Sequence, residues 1–267
     1  MIEISISPIA FTIGPVRVAW YGIMVALAVI TVLTWALYSV RKDPRLSTDM
    51  VLNAALVGIP FGIIGARLLH VIDNWHLYRN NLSSIIGGSG LAIYGAVLGA
   101  ALGIWIYSRF RKISFGHFAD VLAPGIILAQ AVGRVGCTLN GCCYGLETHV
   151  PWAIIYTNPA TLGPMGVPVH PTQIYEIIYN LIVFGVLLLL RKRFRPDGSL
   201  FLIYLTLYSI WRFGIDFIRE GTPFLFGLHE AQIISIITLI ITVTLLAWRT
   251  RWVKKGEGGE TDGEPAA

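Results

Sequence analysis

Along this chain, apolar runs of about twenty residues recur from one end to the other, broken by short polar or basic stretches. A bilayer core is crossed by an α-helix of about that length, so the recurrence limits the chain to a polytopic membrane fold. Phe184 to Leu190 and Ile233 to Ala247 are solid pieces of such runs. Charged residues make up only 13% of the sequence, against roughly 25% in soluble domains. The predicted class is all-α and polytopic, with about seven transmembrane helices at 18–40, 50–72, 91–108, 118–136, 172–190, 199–218 and 230–248. Residues 1–17 carry Pro8, Gly14 and Pro15 and read as an extended, interfacial N-terminal arm. Residues 18–250 form the helical domain, residues 137–171 a small extracytoplasmic cap, and residues 251–267 a disordered cytoplasmic tail.

Charge sets the orientation. Of the 20 Lys and Arg residues, most fall in four clusters: Arg41, Lys42 and Arg45; Arg109, Arg111 and Lys112; Arg191, Lys192, Arg193 and Arg195; and Arg249, Arg251, Lys254 and Lys255. They follow the first, third, fifth and seventh spans, which places those ends in the cytoplasm. The N-terminus and the loops 73–90, 137–171 and 219–229 then face outward. Clustering at span ends, with no continuous basic face interleaved with exposed aromatics, excludes a nucleic-acid surface.

Six arginines lie outside the clusters: Arg17, Arg67, Arg79, Arg134, Arg212 and Arg219. A guanidinium at mid-membrane costs about 2.5–3.5 kcal/mol even on the lenient insertion scale. Near the outer end of a span it can escape by snorkelling, and that reading suits Arg17, Arg79 and Arg219. Arg134 sits between glycines in Gly133-Arg134-Val135-Gly136, which expose backbone N–H groups and admit a ligand. Tyr208, Arg212, Asp216 and Arg219 share one helical face, either as a polar seam between helices or as part of a site. Arginine forks match phosphate oxygens bidentately and stay charged. The residues alone therefore point to a site for an anionic lipid at the outer leaflet. His170-Pro171-Thr172-Gln173-Ile174-Tyr175-Glu176 opens the fifth span, with Pro171 in a favoured position and His170 or Thr172 as the cap. Glu176 is its least comfortable member.

Cys137, Cys142 and Cys143 are too few for a disulfide framework, and three thiols without paired histidines make a poor zinc site. Either Cys137–Cys142 or Cys137–Cys143 could bridge in an oxidising compartment. No metal site, nucleotide motif or cofactor is expected. The chain shows no internal repeat of the kind transporters use.

Taken in order, Pro8-Ile9-Ala10-Phe11, Ile13-Gly14-Pro15, Trp20-Tyr21-Gly22, Gly65-Ala66-Arg67, Gly133-Arg134-Val135-Gly136 with Asn140 and Gly145, His170 to Glu176, and Tyr208, Arg212, Asp216 and Arg219 resemble the prolipoprotein diacylglyceryl transferase family over residues 6 to about 250. The resemblance implies an enzyme of the bacterial cytoplasmic (inner) membrane with its active site toward the extracytoplasmic side. Such an enzyme moves the diacylglyceryl group of phosphatidylglycerol to the lipobox cysteine of a preprolipoprotein and releases glycerol phosphate, the first step of lipoprotein maturation. A same-scaffold homologue serving another acceptor, or only binding lipid, is the alternative.

Carried over, Arg134 and Arg212 hold the head group and stabilise the leaving phosphate. Tyr21 and Asn140 surround the head group, Gly145 closes the signature, and Arg67, Glu176, Tyr208 and Asp216 give supporting polar contacts. The chain departs from the family in having Cys137-Thr138 and Cys142 within the signature, and Tyr94 where a histidine often proposed as base stands. Either Tyr94 takes that role, or the acceptor thiol needs no single protein base.

Overall fold

A bilayer core offers backbone N–H and C=O groups no partners but one another, and each long apolar run accordingly closes into a helix in the computed structural model. The structure describes residues 1–79, 81, 83–87, 90, 92–191 and 193–252. Three strands come first: β1 (Ile2–Ile4), β2 (Ile9–Ile13) and β3 (Val16–Ala19). Helices follow: α1 (Trp20–Val40), α2 (Thr48–Asp73), α3 (Trp75–Tyr78), α4 (Ser84–Gly87), α5 (Ile93–Phe110) and α6 (Phe115–Asn140). Then come β4 (Ile154–Tyr156), β5 (Pro168–Val169), α7 (Thr172–Leu190), β6 (Phe194–Arg195), α8 (Ser199–Ile215), α9 (Glu230–Arg249) and β7 (Arg251–Trp252). Six of these helices are long and apolar enough to cross a membrane.

The sixth expected span, α8, is apolar but only 17 residues long. It stops at Ile215 because Asp216 takes the C-cap, so Arg219 lies beyond the helix rather than on its face. The expected face of four residues is thereby reduced to Tyr208, Arg212 and Asp216.

The chain forms two units, residues 1–35 with 119 onward, and residues 36–118, so that the division falls within α1 and within α6. In the second unit α2 and α5 run antiparallel at very close range. A Cβ on Gly95 would overlap the Gly65 carbonyl oxygen, one on Gly99 the Phe61 carbonyl, and one on Gly103 would meet the Phe61 ring at 2.9 Å. Small residues let backbones approach where no hydrophobic force drives helices together. Ser47 starts α2 by accepting a hydrogen bond from the Met50 N–H at 3.2 Å.

In the first unit, the helical core is Ala123 and Ile127 of α6, Val183 and Leu187 of α7, and Leu200 and Tyr204 of α8. Half of the most apolar stretch of α6 is buried, against about a quarter or less in most of the other spanning helices. The span that carries Gln130 and Arg134 therefore packs against protein, as those residues require.

Much of the expected arm at 1–17 is in strands. β1 pairs in parallel with β4, which pairs antiparallel with β5, while β2 and β3 form a hairpin. Ile154, Tyr156 and Val169 make a second small core with Ile4 and Tyr144 against it. The cap therefore includes the strand at the chain's N-terminal end. It begins at Gly141 rather than at residue 137, because α6 runs on to Asn140.

β7 pairs with β6, so ordered backbone extends through Trp252. The rest of the expected disordered tail, 253–267, lies outside the described residues, as does Leu91 at the start of the expected third span.

Candidate active site

α6 ends in a Schellman turn. The Cys142 N–H reaches the Cys137 carbonyl at 3.1 Å, the Gly141 N–H reaches that of Thr138 at 3.4 Å, and Gly141 sits at φ 72°. This turn folds Cys142 back over the last helical turn. Cys143 follows at φ 66°, left-handed and unusual for a residue with a Cβ.

The opening of α7 holds the turn in place. Thr172 Oγ1 donates to the Cys143 carbonyl at 2.6 Å, and Gln173 Nε2 donates to the Cys142 carbonyl at 2.8 Å. Neither His170 nor Thr172 caps α7, whose N-cap is Pro171 with no side-chain hydrogen bond. The motif at 170–176 serves instead as a clamp on the cysteine turn, and His170 Nδ1 meets Tyr175 Oη at 3.3 Å.

One turn further along α7, Glu176 is 3% exposed and its Oε1 lies 2.7 Å from Arg134 Nη2. Arg134 Nη1 lies 3.9 Å from Cys137 Sγ. Residues 133–136 are helical, so their N–H groups belong to the helix ladder, and the expected exposure of backbone donors does not occur. Gly136 instead lets α6 lie against Tyr21 and Met24 of α1, while the Cβ position of Gly133 faces open space.

Gly145 wedges between two neighbours. Its N–H donates to the His170 carbonyl at 2.9 Å, and its backbone bridges Arg219. A Cβ there would come 2.6 Å from the Ile218 carbonyl oxygen. This stitch ties the turn to the segment after α8. On α8 itself, Arg212 Nη1 lies 3.1 Å from Asp216 Oδ1, an ionic contact without hydrogen-bond alignment. His229, the N-cap of α9, brings Nδ1 within 3.3 Å of Asp216 Oδ2. Among the described residues, Arg219 has no ion-pair partner.

The first unit thus holds Arg134, Asn140, Gly145, Glu176, Arg212 and Asp216, with Tyr21 against α6 and Tyr208 one turn before Arg212. Asn140 ends α6 and accepts the Leu162 N–H at 3.1 Å. Arg67 and Tyr94 belong to the second unit. Arg67 donates to the carbonyls of Ile85, Gly90 and Ser84 at 2.7, 3.0 and 2.7 Å and lies over the Tyr78 ring, which fixes the segment ahead of α5. Tyr94 stands in the first turn of α5, 40% exposed. A cavity of about 260 Å³ in that unit, lined by Arg45, Arg111, Lys112 and His117 among others, contains none of these residues.

Sequence reading missed His229, whose signal was its position directly ahead of an apolar span near an unmatched Asp216. It also missed Thr172 and Gln173 as braces, since a helix-opening Pro-Thr suggests a cap.

All three cysteines are free. Hydrogen bonds from Cys137 and Cys142, with the positive charge of Arg219 and Arg134 beyond them, pull the Cys143 thiol well below the usual thiol range. Burial pushes the Tyr156 phenol up, partly offset by its hydrogen bond with Gln173.

A model of the prolipoprotein diacylglyceryl transferase family matches residues 8–248. The phosphatidylglycerol–prolipoprotein diacylglyceryl transferase of Dehalococcoides mccartyi is 48% identical over 255 residues, covering 96% of this chain and 98% of that one. The transferase of the same name from Clostridioides difficile is 39% identical, covering 87% and 91%, and that from Listeria innocua 37%, covering 91% and 90%. On this match, across nearly its whole length, the chain is a member of the prolipoprotein diacylglyceryl transferase family.

Proposed function

We propose that this membrane protein transfers the diacylglyceryl group of phosphatidylglycerol to the thiol of a lipobox cysteine in preprolipoproteins. The acceptor sulfur forms a thioether bond to the glyceryl carbon. The C–O bond to phosphate breaks, and its electron pair leaves with glycerol phosphate. The observation that carries this reading is the positive charge at the turn that follows α6, where Arg134 lies beside Cys137 and Arg219 is bridged to Gly145, with Arg212 on the helix that leads to Arg219. That fixed positive charge suits a phosphate whose negative charge grows as it departs.

In this reading Arg134 and Arg212 grip the head group and stabilise the leaving phosphate. Tyr21 and Asn140 line its glycerol hydroxyls, and Tyr208 supports Arg212. Gly145 keeps the turn tied to the α8 exit. The basic clusters at the opposite loops favour a cytoplasmic C-terminus and a site toward the extracytoplasmic side of the inner membrane.

The test is transfer from phosphatidylglycerol to a synthetic lipobox peptide by purified protein, followed by mass, with Arg134→Ala and Arg212→Ala beside it. The expected result is transfer by the parent protein and a loss of at least ~100-fold in each variant, the usual scale for removing a donor to developing charge. No transfer by protein that still binds phosphatidylglycerol would overturn the reading in favour of a different acceptor.

A further inference from the structure

The sulfur atoms of Cys137, Cys142 and Cys143 all lie within 4.8 Å of one another, and the fold builds this convergence deliberately. The Schellman turn stacks Cys142 over Cys137. Cys143 is held in a left-handed conformation, which a residue with a Cβ rarely adopts. Buried side chains of Thr172 and Gln173, 2% and 1% exposed, fasten the two carbonyls that fix this shape.

Metal–sulfur bonds of ~2.3 Å at tetrahedral angles put sulfurs about 3.8 Å apart. The three thiols would therefore close by no more than about an ångström onto an ion. Thiolates select soft d¹⁰ cations. Three thiolates around a divalent ion carry a net single negative charge, so Arg134, 3.9 Å from Cys137 Sγ, stabilises the loaded cluster. Among the described residues no fourth His, Cys, Asp or Glu joins the group, which leaves a tetrahedral ion one open position, the mark of reactive rather than structural sites.

We propose that Cys137, Cys142 and Cys143 bind one soft d¹⁰ metal ion of the zinc class, and that its open position takes the acceptor thiol. The second half rests on the transferase reading. A thiol bound to such an ion is deprotonated outright. Its proton passes to water, its sulfur pair forms the C–S bond as the C–O bond to phosphate breaks, and the ion keeps its oxidation state. This supplies a thiolate without a protein base.

The experiment uses full-length protein in detergent, stripped with a chelator and kept reduced with a phosphine. Zinc is titrated against a chromophoric chelator, and cobalt(II) serves as the spectroscopic probe. The expected result is one zinc per chain, sulfur-to-cobalt charge-transfer bands, and affinity lowered on the order of 100-fold or more by Cys137→Ser, Cys142→Ser or Cys143→Ser. A lipobox peptide, but not its Cys→Ser analogue, should change the cobalt spectrum. The wild-type spectrum needs no variant to fold. Absence of charge-transfer bands, or a Cys137–Cys142 or Cys137–Cys143 disulfide in protein trapped directly from membranes, overturns the site. A cobalt spectrum indifferent to peptide overturns the acceptor role. Undiminished transfer by chelated protein sinks that role while leaving the transferase reading standing. Zinc bound but no transfer by any form overturns the transferase reading, and the acceptor role with it, while leaving the metal site standing.

Discussion

Glu176 and Arg134 pair inside a helix bundle, their side chains 4% and 17% exposed. Removing one partner of such a pair strands a charge at a cost of about 3–5 kcal/mol, whereas replacing both with apolar residues is often neutral. Glu176→Leu should therefore lower thermal stability in detergent sharply. Adding Arg134→Leu should restore most of it, and neither variant should transfer lipid. An unfolding midpoint that stays low in the double variant would show that the pair is not the stabilising unit. The thiols give a second test. Because Cys143 is held below the ordinary thiol range, its thiolate persists as pH falls. In metal-free protein, alkylation of Cys143 should continue at pH values where a free thiol of ordinary pKa, near ~8.5, has slowed. Equal pH profiles for Cys143 and a model thiol peptide would contradict this. At this scale the sequence exposed the arginines, because charge in an apolar run is conspicuous. It hid the partner of Arg134, because Glu176 lies more than forty residues beyond it, and it hid His229, which is an unremarkable loop residue until α9 starts on it.

The pairing of α2 with α5 depends on bare backbone surfaces. Gly95→Leu places a side chain into the Gly65 carbonyl and should destabilise by at least the ~1–3 kcal/mol typical of overpacking. Gly133→Ala, facing open space, should stay within roughly 0.5 kcal/mol of the parent. Thermal midpoints in detergent check both, and a tolerated Gly95→Leu would mean that the helices sit farther apart. The helices themselves were legible to within a few residues, since hydropathy alone fixes where a chain can span. Their ends were less so. α6 outruns its expected end by four residues because Gly141 supplies the left-handed stop, and α8 falls short because Asp216 turns toward Arg212 and His229. Both ends are set by local polar contacts rather than by apolar length.

For the whole molecule, the N-terminal strand is the unexpected part of the architecture. β1 reaches 152 residues along the chain to pair with β4, a parallel register that no local pattern announces, whereas the order of spans and basic loops could be read directly. Deleting residues 2–5 should leave the helices inserted but loosen the cap. Limited proteolysis within 147–168 should then accelerate severalfold at unchanged membrane content, and an unchanged cleavage rate would show the strand to be dispensable.

The ion pairs carry one more consequence. A phosphate that takes Arg134 or Arg212 must take it from Glu176 or Asp216, so the protein carries its own rivals for the anion. Those carboxylates cap how tightly any head group can be held. In the proposed reaction they would return to the guanidiniums as glycerol phosphate departs, protecting turnover from the affinity that the arginines would otherwise give the product.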